Sequence, residues 1–129
     1  MSIFKNHSPE NMADPVSAYA HGVSVEGATR WLHISGQVGA RSRDGVSADS
    51  AKQMNKCWER IFAVLADAGM DKTNLVKINV YMTRPEDVEL YREIREQQME
   101  GHITASTLLI VSGFADPSWV VEIEAIAAA

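Results

Sequence analysis

The sequence predicts an α+β fold, one mixed β-sheet with two α-helices packed on one of its faces. Three observations predict it. Two segments ending at Gly69 and Gly101 place apolar residues at three- and four-residue spacing, the period of an amphipathic helix. Two others, Leu75–Met82 and Trp119–Ala127, alternate apolar and polar residues, the period of a strand. The segments interleave in the order β-β-α-β-α-β-β, without repeats, linkers or low-complexity stretches, so residues 1–129 are expected to form a single domain.

Residues 1–16 are polar and predict a short strand or an irregular lead-in. A strand is expected to begin in Tyr19-Ala20-His21-Gly22-Val23-Ser24-Val25. The turn-rich Glu26-Gly27-Ala28-Thr29 then predicts a hairpin whose returning strand is Trp31–Ser35. Gly36–Gly39 leaves that strand and Arg41–Gly45 is a polar loop. The first helix can be capped by Asp49 or Ser47 and closed by Gly69, with Met54, Cys57, Trp58, Ile61, Leu65 and Ala68 as its apolar stripe. Cys57 lies within that stripe and reads as a small core hydrophobe.

In Leu75–Met82, residues Val76, Ile78, Val80 and Met82 share one face and Lys77, Asn79 and Tyr81 the other. Thr83-Arg84-Pro85-Glu86 has the pattern of a capping box, opening a helix that runs to about Met99 with Val88, Tyr91 and Ile94 turned inward. Ser106–Val111 predicts a buried strand. The last strand turns Val121, Ile123, Ala125 and Ala127 one way and Val120, Glu122, Glu124 and Ile126 the other. Carboxylates two residues apart on a strand are roughly 6.5–7 Å apart. The face without helices would carry Asn79, Tyr81, Val120, Glu122, Glu124, Ile126 and Leu109 or Ile110. That mixture is too apolar for open water and too polar for a core, which points to oligomerisation with ligand clefts where subunits meet.

With 46% hydrophobic and 22% charged residues the composition is that of an ordinary soluble globular protein. A net charge of −5, with no basic stretch interleaved with aromatics, argues against a nucleic-acid partner. One cysteine excludes an internal disulfide, and one Cys with four scattered His builds no zinc motif. No apolar run approaches the ~20 residues that span a bilayer, and the N-terminus lacks a signal-peptide core. The expectation is a cytoplasmic protein without metal, organic cofactor or membrane partner.

Five pieces, in order and with fitting gaps, resemble the RidA/YjgF family of small trimeric reactive-intermediate deaminases. They are Tyr19–Val23, Ile34–Val38, the helix end Ala63–Gly69, Val76–Thr83 and Val121–Ala127. The resemblance covers nearly the whole chain. It implies a chorismate-mutase-like fold in which three sheets close a trimeric barrel with three clefts between subunits. It also implies a small-molecule metabolite as ligand, and hydrolysis of enamines or imines such as 2-aminoacrylate to a keto acid and ammonia. Carried over residue by residue, the cleft would be lined by Tyr19, Ser35, Gly36 and Glu122, with Glu122 moving the proton of a positioned water and Tyr19 and Ser35 orienting water or substrate. Glu124 is the alternative acid if the strand register differs.

The chain departs from the family at one position. Active deaminases carry a carboxylate-clamping arginine in a Pro-Ala-Arg-Ser pattern. Here the segment is Thr104-Ala105-Ser106-Thr107, so the position falls on Ser106, or on Ala105 with a one-residue shift. A bidentate arginine contact sets geometry and is costly to lose, which argues against efficient 2-aminoacrylate deamination. Arg92, near a position where the family often has a cleft-lining Asn, or a loop arginine, Arg41 or Arg43, is the candidate replacement; Arg95 follows one turn after Arg92, and His102 is a candidate for the cleft rim. The leading functional reading is a hydrolase of an imine, enamine or related C–N metabolite. The alternative is a non-catalytic metabolite-binding trimer.

Overall fold

The computed structural model describes residues 2–41, 45–46 and 49–129. In chain order the elements are β1 (Ile3–His7), β2 (Gly22–Glu26), β3 (Trp31–Val38), the two-residue strands β4 (Ala40–Arg41) and β5 (Gly45–Val46), α1 (Ser50–Asp67), β6 (Leu75–Met82), α2 (Val88–Met99), β7 (Ala105–Ile110) and β8 (Val121–Ala128). Arg43 and the alternative cap Ser47 lie outside the described residues, as does the side chain of Arg41.

The central sheet has the order β3-β8-β6-β7. β8 runs antiparallel to both its neighbours, and β7 lies parallel to β6. Parallel neighbours need a long crossover, and α2 supplies it. The alternation in β8 is realised: Val121, Ile123, Ala125 and Ala127 are buried, while Glu122, Glu124 and Ile126 are half-buried. β6 does the same with Val76, Ile78, Val80 and Met82. Two helices cover the core face. Met54, Cys57, Trp58, Ile61 and Leu65 of α1 meet Ile78, Val80, Ile123 and Ala125, joined by Tyr91 and Ile94 of α2. Asp49 caps α1 by accepting from the Lys52 amide at 3.0 Å. Gly69, at φ +71°, takes the left-handed conformation that ends it.

Four expectations need correction. The hairpin between 19–25 and 31–35 is not formed: β2 pairs with β1 over Ile3↔Glu26 to His7↔Gly22, and β3 pairs with β8. The Thr29 and Arg30 amides donate to Ala129 O at 2.9 and 3.0 Å, which carries the returning chain to the end of β8 instead. The capping box at Thr83 is also absent. The Thr83 amide is spent on Val120 O, a 3-10 turn covers Pro85–Asp87, and Asp87 precedes α2 while accepting from Ser50 Oγ at 2.6 Å.

The strand predicted as buried at 106–111 is an outer strand paired on one side only, with Leu109 49% and Ile110 44% exposed. Val120 does not share the open face with Glu122; it is buried. The cause is Gln53, a fully buried side chain on α1, whose Oε1 accepts from Val120 N and whose Nε2 donates to Ser118 O, both at 3.0 Å. β3 ends so close to this helix that a Cβ on Gly39 would lie 2.6 Å from Gln53 Cα.

Candidate functional site

The face of the sheet away from the helices is built by register. Tyr81 lies opposite Glu122, Asn79 opposite Glu124 and Lys77 opposite Ile126; on the outer side the same β6 residues face Leu109, Thr107 and Ala105. Partnered residues point to the same side of a sheet, so both carboxylates lie on the open face and the choice between them becomes one of surroundings.

Glu122 belongs to the β3 side. Between Ile34 and Gln37 the β3–β8 register shifts, so that Ser35 and Gly36 together oppose Glu124. This is a β-bulge, a device that re-aims side chains and leaves backbone groups out of the ladder. The Glu122 side chain lies directly over the Gly36 backbone: a Cβ at Gly36 would sit 2.7 Å from Glu122 Cδ and 3.0 Å from its Cγ. Glycine is needed here for space. Gln37, next along the bulge, accepts from Arg60 Nε at 2.9 Å, which brings a guanidinium beside this end of the strand.

Glu124 lies deeper along the face. Its Oε1 accepts from Tyr81 Oη at 2.6 Å and from Asn79 Nδ2 at 3.2 Å. The bond to Glu124 pushes the Tyr81 phenol above its ordinary range, with burial and the two nearby carboxylates adding to it. Asn79 and Glu124, with His33, Ser35 and Ile126, line a cavity of about 320 Å³. Its long neighbour Lys77 donates to Thr107 Oγ1 at 2.7 Å.

The structure thus brings Gly36 and Glu122 together, with Ser35 next to Gly36 in the bulge and lining the cavity of Glu124. Tyr19, Ser106 and Arg92 stand elsewhere in the chain. Ser106 is opposite Ile78 and shares its helix-covered side. From Ser106 to Glu122 is two strand spacings across and three residues along, roughly 14 Å between backbones. Tyr19 comes in at the same outer edge, where Ala20 bridges Ala105 and donates to Thr104 O at 3.0 Å; its ring meets His21 edge-on. Arg92 sits on α2 in an ion pair with Glu89, in the helical layer and not on the face of Glu122. His102 lies by Leu75 O at 3.2 Å. Cys57 donates weakly to Val121 O, and burial pushes its thiol up to about 12. Sequence reasoning missed the Tyr81–Glu124–Asn79 cradle and Arg60, because both depend on register between distant segments. The polar side chains on β6 were the available signal.

The family model described as Endoribonuclease L-PSP matches residues 9–129. The chain belongs to this family, RidA/YjgF. A rat protein named 2-iminobutanoate/2-iminopropanoate deaminase is 30% identical over 114 residues, 87% of this chain and 80% of that protein. A RutC family protein of Aquifex aeolicus is 32% identical over 83 residues, 64% of this chain; the match spans 62% of that relative, a little under two thirds. Among solved structures, a Rid-family protein of unknown function from Yersinia pestis, YyfB, superposes with a TM-score of 0.88 at 25% identity, covering 98% of both chains. Two helices on a mixed sheet are therefore the Rid fold in this chain as in its neighbours. Among the described residues of this RidA/YjgF chain, no group of three or more His, Cys, Asp or Glu is placed to hold a metal ion. No described helix is long and apolar enough to cross a membrane.

Proposed function

We propose that this RidA/YjgF chain hydrolyses the C–N bond of a small imine or enamine metabolite, in clefts formed between copies of a homotrimer. The observation that carries the reading is the Glu122 carboxylate laid over the bulge at Ser35–Gly36. Backbone groups freed by a bulge and a half-buried carboxylate beside them are what water addition to an imine needs. Water oxygen bonds to the carbon of the protonated imine as Glu122 accepts the water's proton and the C=N electron pair passes to nitrogen, which becomes an amine. Glu122 returns that proton to the amine nitrogen, the C–N bond breaks with its electron pair leaving on ammonia, and the hydroxyl proton passes to the Glu122 carboxylate as the carbonyl compound forms. An enamine takes a proton at carbon first and follows the same course. Ser35 is proposed to orient the water, and Tyr19 and Ser106 to line the cleft from the neighbouring copy. The deaminase-named relatives at about 30% identity support the reaction class. The serine at 106 supports a substrate other than 2-aminoacrylate, since the family's carboxylate clamp is missing there.

The test is ammonia release from imines generated in situ, comparing the native protein with Glu122→Ala and Ser106→Arg. Turnover that is present in the native protein and lost in Glu122→Ala supports the reading. Saturable metabolite binding without turnover in any variant overturns it in favour of a binding trimer, a reading also supported by the absent arginine. Light scattering tests the assembly: a particle of 14.2 kDa, the mass of one chain, rather than about three times that, removes the inter-subunit cleft.

A further inference from the structure

The helical side of the outer edge holds a charge that nothing above uses. Arg95 on α2 is 95% buried, with 5% of its surface exposed. Its Nη2 donates to Ser17 Oγ at 3.2 Å, and its guanidinium carbon stands 5.9 Å from the centre of the Tyr91 ring. It forms no ion pair among the described residues, and its Nε is buried with no hydrogen-bond partner. Two further buried groups nearby in the chain, Tyr91 Oη and Thr104 Oγ1, also have no partner. Arg95 lines a small cavity of about 90 Å³ with Ala18, Glu96, Met99, Gly101, His102 and Ile103; Glu96 is exposed to solvent.

A guanidinium carries five N–H donors and its charge at every physiological pH. Burying it without a counter-charge costs several kcal/mol. A cavity of this size holds about three waters' worth of liquid volume, room for the planar head of a carboxylate and little more. The fork of an arginine matches that shape with two parallel hydrogen bonds, and the Ser17 hydroxyl, which accepts from Arg95 Nη2, helps to fix the guanidinium's orientation.

We propose that Arg95, positioned by Ser17, forms a carboxylate-binding pocket at the edge of the sheet where Ser106 offers no cation. The binding site stands on Arg95 and its cavity alone; use of the pocket to hold a substrate carboxylate rests on the imine-hydrolase reading. Arg95 would then be a binding residue and Glu122 the one that moves protons.

The experiment is calorimetric titration of the native protein with acetate and propanoate, and separately with inorganic phosphate, in a low-chloride buffer. Saturable carboxylate binding is expected, weakened roughly 10- to 100-fold by Arg95→Met, the loss of one charge-assisted pair. Ser17→Ala should weaken it less. Carboxylate binding unchanged in Arg95→Met, no saturation below about 100 mM, or phosphate binding as tightly as acetate would each overturn the proposal. If Arg95→Met does not fold, Arg95→Lys decides, since it keeps the charge and loses the fork: undiminished acetate affinity there together with undiminished affinity in Ser17→Ala overturns the pocket. Acetate binding without imine turnover leaves the pocket standing and removes the hydrolase; turnover dependent on Glu122 with no carboxylate binding does the reverse.

Discussion

Gly36→Ala should separate stability from function. The added Cβ would lie 2.7 Å from Glu122 Cδ, against about 3.5–4.0 Å for a comfortable carbon contact, so the carboxylate must retreat by roughly 1 Å. The backbone does not object: Gly36 is not among the glycines with positive φ, which are Gly27, Gly69 and Gly101. Overpacking costs about 1–3 kcal/mol in a rigid core, but the obstacle here is the end of a flexible side chain. Stiffening the unfolded chain returns about 0.4–1 kcal/mol. The net change in stability should stay within about 1 kcal/mol. A 1 Å displacement of a group acting on the reacting atoms costs about 100-fold in rate, so kcat/KM should fall by about that factor. In a Glu122→Ala background the nearest obstacles to the Cβ are gone, and Gly36→Ala should become neutral or stabilising. Urea unfolding of the native protein, both single variants and the double variant measures that coupling, independently of turnover, at about 1 kcal/mol. Additive stabilities would refute the placement of Glu122 over the bulge, and full turnover in Gly36→Ala would refute its proposed part in proton transfer.

Three further outcomes follow from the interior. Gln53→Ala should destabilise by about 3 kcal/mol, because Val120 N and Ser118 O lose their partner and a cavity opens; chemical denaturation checks it. Tyr81 and Tyr91 both titrate above the ordinary tyrosine range, Tyr81 through its bond to Glu124 and Tyr91 through burial. Their neutral forms are favoured in the folded state, so their contribution is complete below about pH 10 and is lost as pH rises beyond it; the alkaline fall in stability should be shallower in Tyr81→Phe. Cys57, with its thiol at about 12 and no exposed surface, should react with a disulfide reagent only as fast as the protein opens; rapid stoichiometric labelling of the native protein would contradict the packing of α1.

What could be read in advance is local. The alternation in β6 and β8 and the stripe of α1 are period arguments, and each holds residue by residue from Met54 to Leu65 and from Val121 to Ala127. What could not be read depends on a distant partner. Val120 looks like an alternating strand residue, yet a glutamine 67 positions away takes its amide and turns it inward. Ser106–Val111 has the apolar content of a buried strand and becomes an edge because only β6 pairs with it. β1 is too polar to announce itself as the partner of β2, so the sequence points to the adjacent β3 instead. At the site, the sequence ends the strand at Ser35, whereas β3 runs on through Gly36 to Val38; that Gly36 makes room for Glu122 is visible only once β3 has slipped by its bulge.

The divided placement of the site residues makes a last prediction about assembly. Ser35, Gly36 and Glu122 gather at the β3–β8 side, while Tyr19 and Ser106 belong to the β7 edge, with β6 lying between β8 and β7. No side chain bridges a separation of this order within one sheet, so the proposed function puts a ligand touched by both sets between two copies. In a closed ring each copy meets the next head to tail, through two different surfaces. Each cleft would then take Glu122 from one copy and Tyr19 from its neighbour. Glu122→Ala and Tyr19→Ala should each be inactive alone. Unfolded together in equal amounts and refolded, they should recover about a quarter of native turnover, since a random neighbour pair supplies both intact residues one time in four. A site contained in one chain gives no recovery at all, because no chain in the mixture carries both residues. The mixing experiment therefore decides whether the open face of this sheet is completed by a second copy.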